Sequence, residues 1–148
     1  MKSIIIYTSV SHGNTAKVAK AMAQMLKADL VETSKASPVK LKNYDLVGFG
    51  SGIYNGNLDR SIFDFVDQIP RPFGKKSFVF STSGDGSNSL NEKLEVELAA
   101  KGSDVLGSFA CKGWDTYRVF KLFGGIARNR PNDTDLNAAR NFVKTLQI

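Results

Sequence analysis

Between residues 7 and 15 the sequence YTSVSHGNT gathers five hydroxyls, on Tyr7, Thr8, Ser9, Ser11 and Thr15. They stand beside the imidazole of His12, a glycine at position 13 and the amide of Asn14. The stretch follows the β-branched run Ile4, Ile5, Ile6 and precedes a helical pattern. Backbone N–H groups of such a loop and of a helix N-terminus can point at one spot and hold an anion, with hydroxyls adding neutral donors. The loop has no lysine and neither GxxxxGK[ST] nor GxGxxG spacing, so it suits a terminal phosphomonoester better than a triphosphate or a dinucleotide. The bland alternative is a hydroxyl-rich turn with Asn14 or Thr15 as an N-cap.

Two further stretches have unusual backbone requirements. GSGIYNGN, residues 50–57, packs three glycines and two asparagines around Tyr54, a composition for positive φ or close approach to a ligand. TSGDGSNS, residues 82–89, is a second glycine-rich turn. Asp85 within it has no second carboxylate or histidine at catalytic spacing, so it reads as turn chemistry. His12 reads as a polar loop residue, with donation to phosphate or sensing of a bound ligand's charge as the alternative. Cys111 has no cysteine partner and no metal or nucleophile pattern around it, and reads as a buried strand thiol. No catalytic acid–base set and no metal site is legible.

The elements that must position these stretches follow from periodicity. Unalternating apolar runs at residues 4–6, 45–50, 77–81 and 104–111 predict strands buried on both faces, and residues 28–33 a shorter strand with Leu30 and Val31 inward. Apolar residues at helical spacing predict helices over 16–27, with Met22 and Met25 as core filler, over 58–69 with Asn57 as N-cap, and over 134–146. Leu90, Leu94 and Leu98 predict another, opened by a Ser89/Glu92 capping box and closed by Gly102 as the C′ residue. Residues 35–43 read as a surface connection. Alternating strands and helices predict one α/β domain over residues 1–148, a doubly wound five-stranded parallel sheet with helices on both faces. In the order 2-1-3-4-5, one of the two common doubly wound orders, the strands preceding loops 8–15, 50–57 and 82–88 are neighbours, so the three loops converge at the carboxyl edge, where such folds bind ligands.

Strand-TSVSHGNT-helix resembles the phosphate loop of the flavodoxin family, roughly [ST]x[ST]xxGNT, and the other two loops extend the resemblance over nearly the whole chain. The resemblance implies the strand order 2-1-3-4-5 and FMN as cofactor. Thr8, Ser9, Ser11, His12, Gly13, Asn14 and Thr15 match the phosphate loop, which is one residue longer than the shortest family loops. Ile53, Tyr54, Asn55 and Gly56 match the loop beside flavin N5, whose peptide can present a carbonyl to that atom, and Ser83, Gly84 and Asp85 match the loop beside the pyrimidine edge. Where many flavodoxins stack a tyrosine after the third loop, this chain has Ser87 and Asn88, leaving Tyr54, Trp114 or Tyr117 to wall the ring. The implied function is a flavoprotein electron carrier. An FMN-dependent reductase or oxidase of the same fold, protoporphyrinogen oxidase-like or quinone reductase-like, is the alternative.

At 148 residues with 42% apolar and 23% charged residues the composition is that of a globular protein with one sizeable core. A single cysteine and the absence of a long apolar run or leader pattern predict a cytoplasmic protein without a membrane span. The net charge is +6, and residues 112–131 hold Lys112, Arg118, Lys121, Arg128 and Arg130 against Asp115. A patch of this kind predicts redox partners that are acidic near their docking face rather than nucleic acid. A monomer or weak dimer is the expected assembly.

Overall fold

The computed structural model describes residues 1–9, 13–113 and 129–146. In chain order it runs β1 (Ser3–Thr8), α1 (Asn14–Leu26), β2 (Asp29–Glu32), β3 (Leu46–Tyr54), β4 (Asn57–Leu58), α2 (Arg60–Asp67), β5 (Lys76–Ser83), α3 (Asn91–Ala100), β6 (Asp104–Lys112) and α4 (Asp133–Thr145). The parallel sheet has the order β2-β1-β3-β5-β6, the doubly wound order expected. The short β4 is an addition, pairing antiparallel with the end of β3.

Each face of the sheet carries one cluster. Ile5 and the rings of Phe78 and Phe80 pack with Val18, Met22, Ala139 and Val143 under α1 and α4. Ile4, Ile6, Phe49 and Val79 pack with Ile62, Val66, Leu94 and Leu98 under α2 and α3. The second cluster also draws in Leu41, because the connection after β2 winds into 3₁₀ turns at Thr33–Lys35 and Pro38–Asn43 instead of running loose over the surface. Leu30 and Met25 depart from expectation, both exposed. β2 is an edge strand whose Leu30 face is uncovered, while Val31 packs on the core.

β3 is glycine-striped for a packing reason. A Cβ at Gly48 would lie 2.3 Å from the ring of Phe78, and one at Gly50 would lie 2.0 Å from the ring of Phe80, so both rings of β5 lean across a strand stripped of side chains. Gly50→Ala should therefore destabilise the fold by about 1–3 kcal/mol through overpacking. Urea unfolding followed by circular dichroism reads this, and an unchanged midpoint would mean that Phe80 has room to move.

Helix ends differ from the expected ones where tertiary contacts intervene. α2 is capped by Asp59, which accepts from Ser61 N at 2.9 Å, not by Asn57, because Asn57 is held in β4. α3 starts at Asn91 after an uncapped Leu90, so the Ser89/Glu92 box does not form. Its other end forms as expected: Gly102, at φ +93°, donates to Ala99 O, and Ser103 N donates to Leu98 O, the paired bonds of a Schellman motif.

Candidate functional site

The parallel register brings the ends of β1, β3 and β5 level: Thr8 is paired with Ser51, and Ser51 with Ser81. The three predicted loops therefore leave one edge side by side. α1 begins on Gly13 at φ +68°, ψ +25°, with no side-chain cap, and a Cβ placed there would meet nothing within 4 Å. The glycine thus supplies a left-handed turn and an open mouth in front of the first helical turn. Ser9 reaches across the loop to accept from Ala16 N at 3.3 Å.

The loop hydroxyls divide by role. Thr15 is buried, and its hydroxyl meets that of Thr82 at 2.9 Å, fastening the start of α1 to β5. Thr8 Oγ1 lies 2.7 Å from Thr33 Oγ1 and 2.6 Å from Ser61 Oγ, a hydroxyl chain joining β1, the turn after β2 and the start of α2. Both residues assigned to anion contact thus act as braces that position the loop. Sequence reasoning missed Thr33, Ser61 and Thr82 altogether. Their only signal is a hydroxyl near the end of a strand or the start of a helix, which is common in any chain. Asn14 packs beside Gly113, where a Cβ would come within 2.6 Å of its Nδ2. Ser11, His12, Trp114 and Tyr117 lie outside the described residues.

The second loop is shorter than predicted, since β3 continues through Ile53 and Tyr54. What remains is a two-residue hairpin turn, Asn55 at φ +54° and Gly56 at φ +75°, with Tyr54 and Asn57 paired across it. Positive φ at both central positions is the type I′ pattern, which Asn-Gly serves best. The Tyr54 side chain folds back along its own strand, so that a Cβ at Gly52 would stand 2.4 Å from its hydroxyl. On the other face Ser51 Oγ accepts from Asp59 N at 2.8 Å, tying the hairpin to α2.

In the third loop Asp85 organises the backbone, as its isolation in sequence suggested. Its Oδ1 accepts from Ser87 N at 2.9 Å and from Ser83 Oγ at 3.0 Å, and Ser83 Oγ accepts from Gly86 N at 3.0 Å. These bonds, led by that from Ser87 N and helped by nearby Lys112, hold the carboxyl below its ordinary range, so it stays ionised. Gly113 N donates to Ser83 O and joins the loop to the end of β6.

Beside the edge, the Arg130 guanidinium makes a two-pronged hydrogen bond to the buried carboxylate of Asp135, which also accepts from Asn132 N at 2.8 Å. The Arg130 bonds hold the Asp135 carboxyl below the usual carboxylate range. Arg130, counted above among the free cations, is thereby spent inside the chain. Arg118, Lys121 and Arg128 fall outside the described residues, and Lys112 is exposed at the end of β6. Burial pushes the Cys111 thiol up to about 12, so it is inert at neutral pH, as expected of a core strand thiol. Among the described residues no cluster of His, Cys, Asp or Glu could hold a metal, and no helix is long and apolar enough to cross a membrane.

Residues 4–125 match the family model described as a flavodoxin domain. An uncharacterized protein of Methanocaldococcus jannaschii is 46% identical over 148 residues, covering 99% of this chain and 98% of that protein. An NAD(P)H dehydrogenase (quinone) of Archaeoglobus fulgidus is 23% identical over 180 residues, 95% of this chain and 93% of that one. Among solved structures, a flavodoxin from the domain Archaea superposes with a TM-score of 0.73 at 18% identity, over 97% of this chain and 94% of the other, and shares its fold.

Proposed function

The chain belongs to the flavodoxin domain family, and on that premise we propose that it binds one FMN at the carboxyl edge of its sheet and carries electrons between protein redox partners in the cytoplasm. The observation that carries the reading is the convergence, on one level edge, of the uncapped α1 start at Gly13, the Asn55–Gly56 hairpin and the Asp85-braced loop. The residues present fit this cofactor. The open first turn of α1 offers backbone N–H groups and the positive end of the helix dipole to a phosphate dianion. Ser9 and Asn14 stand beside this turn, which Thr8 and Thr15 brace, and Ser11 and His12 are further candidate donors by their place in the sequence. Ile53, Tyr54, Asn55 and Gly56 border one side of the ring site and Ser83, Gly84 and Asp85 the other, with Trp114 a further candidate wall. FMN, when bound, supplies reversible electron transfer, and the protein's part is to hold, orient and shield it.

Tyr54 is the aromatic cover in this reading. Tyr54→Ala should weaken flavin binding by about 0.5–1.5 kcal/mol beyond the area lost and relieve quenching of flavin fluorescence. Unchanged affinity and quenching would shift the role to Trp114 or Tyr117.

The partners are proposed to be acidic near their docking face, with Lys112 an exposed cation at this edge. The experiment that tests the whole proposal adds FMN to the purified protein and follows the absorbance spectrum. It then measures electron transfer to an acidic and to a basic redox protein at low and high salt. A stoichiometric yellow complex that reacts faster with the acidic partner, and more slowly as salt rises, is expected, because steering is screened beyond about 8 Å at physiological ionic strength. No complex, or a preference for the basic partner, would overturn it. A second reading, an FMN-dependent quinone reductase, is favoured by the resemblance to the quinone-linked dehydrogenase. Rapid NAD(P)H oxidation with a small quinone as sole acceptor would establish it instead.

A further inference from the structure

At the pole opposite the flavin edge, two stretches of chain meet at the amino ends of adjacent parallel strands. The turn Pro38–Asn43 leads into β3 and residues 70–76 lead into β5, with Leu46 and Lys76 in register. Between them runs an apolar groove of about 240 Å³ whose walls include Val39, Leu41, Pro70, Pro72 and Phe73. Its floor is fixed. Phe73 packs edge-on against Phe49, and Phe73 N and Gly74 N donate to Lys101 O and Gly102 O. Its rim is open, with the Val39 side chain 59% exposed. Prolines at 38, 70 and 72 stiffen the backbone on both sides.

The two stretches that wall this groove are basic. The two stretches carry Lys40, Lys42, Arg71, Lys75 and Lys76 and no carboxylate. Among the described residues none of these five cations has a carboxylate within 4 Å, the ion pairs there being Arg60–Asp64 and Arg130–Asp135. Of the nearby acids, Asp45 accepts from Lys2 N at 2.8 Å and Asp104 is the register partner of Lys76, while Asp67 and Glu97 share a separate groove with Arg71. Of these cations Lys42 lines the slot and Lys40 stands on the same exposed turn, and neither serves the core.

We propose that this pole docks an acidic protein segment that inserts one large apolar side chain into the groove while its carboxylates meet Lys40 and Lys42. The volume lies below the roughly 300–1,000 Å³ of ligand pockets, so the groove is sized for a side chain and not for a cofactor. The slot is concave and proline-walled, which suits an inserted residue better than a flat bilayer. Because docking at the amino ends of the strands leaves the carboxyl edge free, the protein can be tethered to an acidic partner and still exchange electrons.

The test measures fluorescence anisotropy of the full chain with a labelled peptide EDEFEDE, beside EDESEDE and KRKFKRK as controls and phosphatidylserine vesicles as a lipid probe. Saturable binding of EDEFEDE alone is expected, weakened about tenfold or more by Lys40→Glu combined with Lys42→Glu, and lessened by raised salt. Val39→Asp should weaken it independently, and because residues 39, 40 and 42 are exposed, circular dichroism should report an unchanged fold. Adding FMN should leave the affinity unaltered, so the result stands apart from the flavin reading. Equal binding of EDESEDE, no loss in the charge-reversed variant, or binding to the vesicles without binding to the peptide would overturn the proposal.

Discussion

Asn14→Asp should cost FMN about 10²–10³-fold in affinity while leaving riboflavin binding almost unchanged. Asn14 is the first residue of α1, immediately after the glycine that opens the proposed anion site, and aspartate has the same shape beside Gly113. A unit negative charge about 4 Å from a phosphate oxygen, in the intermediate dielectric of a protein surface, opposes a like charge by roughly 4 kcal/mol. The phosphate carries nearly two such charges, and riboflavin carries none. An acid in the first turn of a helix complements its dipole, which offsets part of the cost of charge at the buried Oδ1 position. The outcome is a folded protein that has lost one ligand and kept the other. Parallel titrations with FMN and riboflavin read it, and equal losses for both would move the phosphate away from α1.

Asp135→Ala should destabilise the protein by about 3 kcal/mol, the second large effect. Asp135 is buried, accepts both prongs of Arg130, and completes a reciprocal cap in which its own N–H donates to Asn132 Oδ1 at 3.0 Å. Removing one partner of a buried pair typically costs 3–5 kcal/mol, and losing a helix cap about 0.5–2. Arg130 keeps a third of its side chain in water, which places the sum at the low end. The pH dependence has a definite sign. The folded carboxyl titrates below its ordinary value, so its contribution is complete above about pH 4 and is lost as the pH falls through the lower folded value. Urea midpoints between pH 2 and 7 should converge for wild type and Asp135→Ala at the acid end. Parallel curves would deny the ionised pair its role.

Helix, strand and loop positions were legible because they rest on local patterns: unbroken β-branched runs for strands covered on both faces, and 3.6-residue periods for the helices that cover them. Alternation and the handedness of crossovers gave a parallel sheet covered on both faces, and the resemblance of the loops to the flavodoxin family supplied the strand order, so the convergence of three loops could be inferred before any contact was seen. Gly102 was equally legible, since positive φ is a demand that few other residues meet, whereas the helix start at Gly13 replaced the Asn14 or Thr15 cap that the sequence offered. The extension of β3 was hidden by its glycines. Gly50 and Gly52 read as loop residues in sequence, whereas in the fold they make room for Phe80 and Tyr54. No local signal distinguishes a glycine that must bend from a glycine that must be small.

By itself, then, the sequence determined the α/β architecture, the edge at which the three loops meet and the phosphate-suited chemistry of the first loop, because each follows from short-range periodicity and residue type. Only the tertiary structure decided how each polar group is spent. Thr8 and Thr15 became braces through Thr33, Ser61 and Thr82, and Arg130 became half of a buried pair with Asp135, leaving the turns before β3 and β5 with the unpaired cations. The physical reason is reach. A hydroxyl or a guanidinium takes the partner that folding brings within about 3 Å, and such partners here stand up to 67 residues away in the chain.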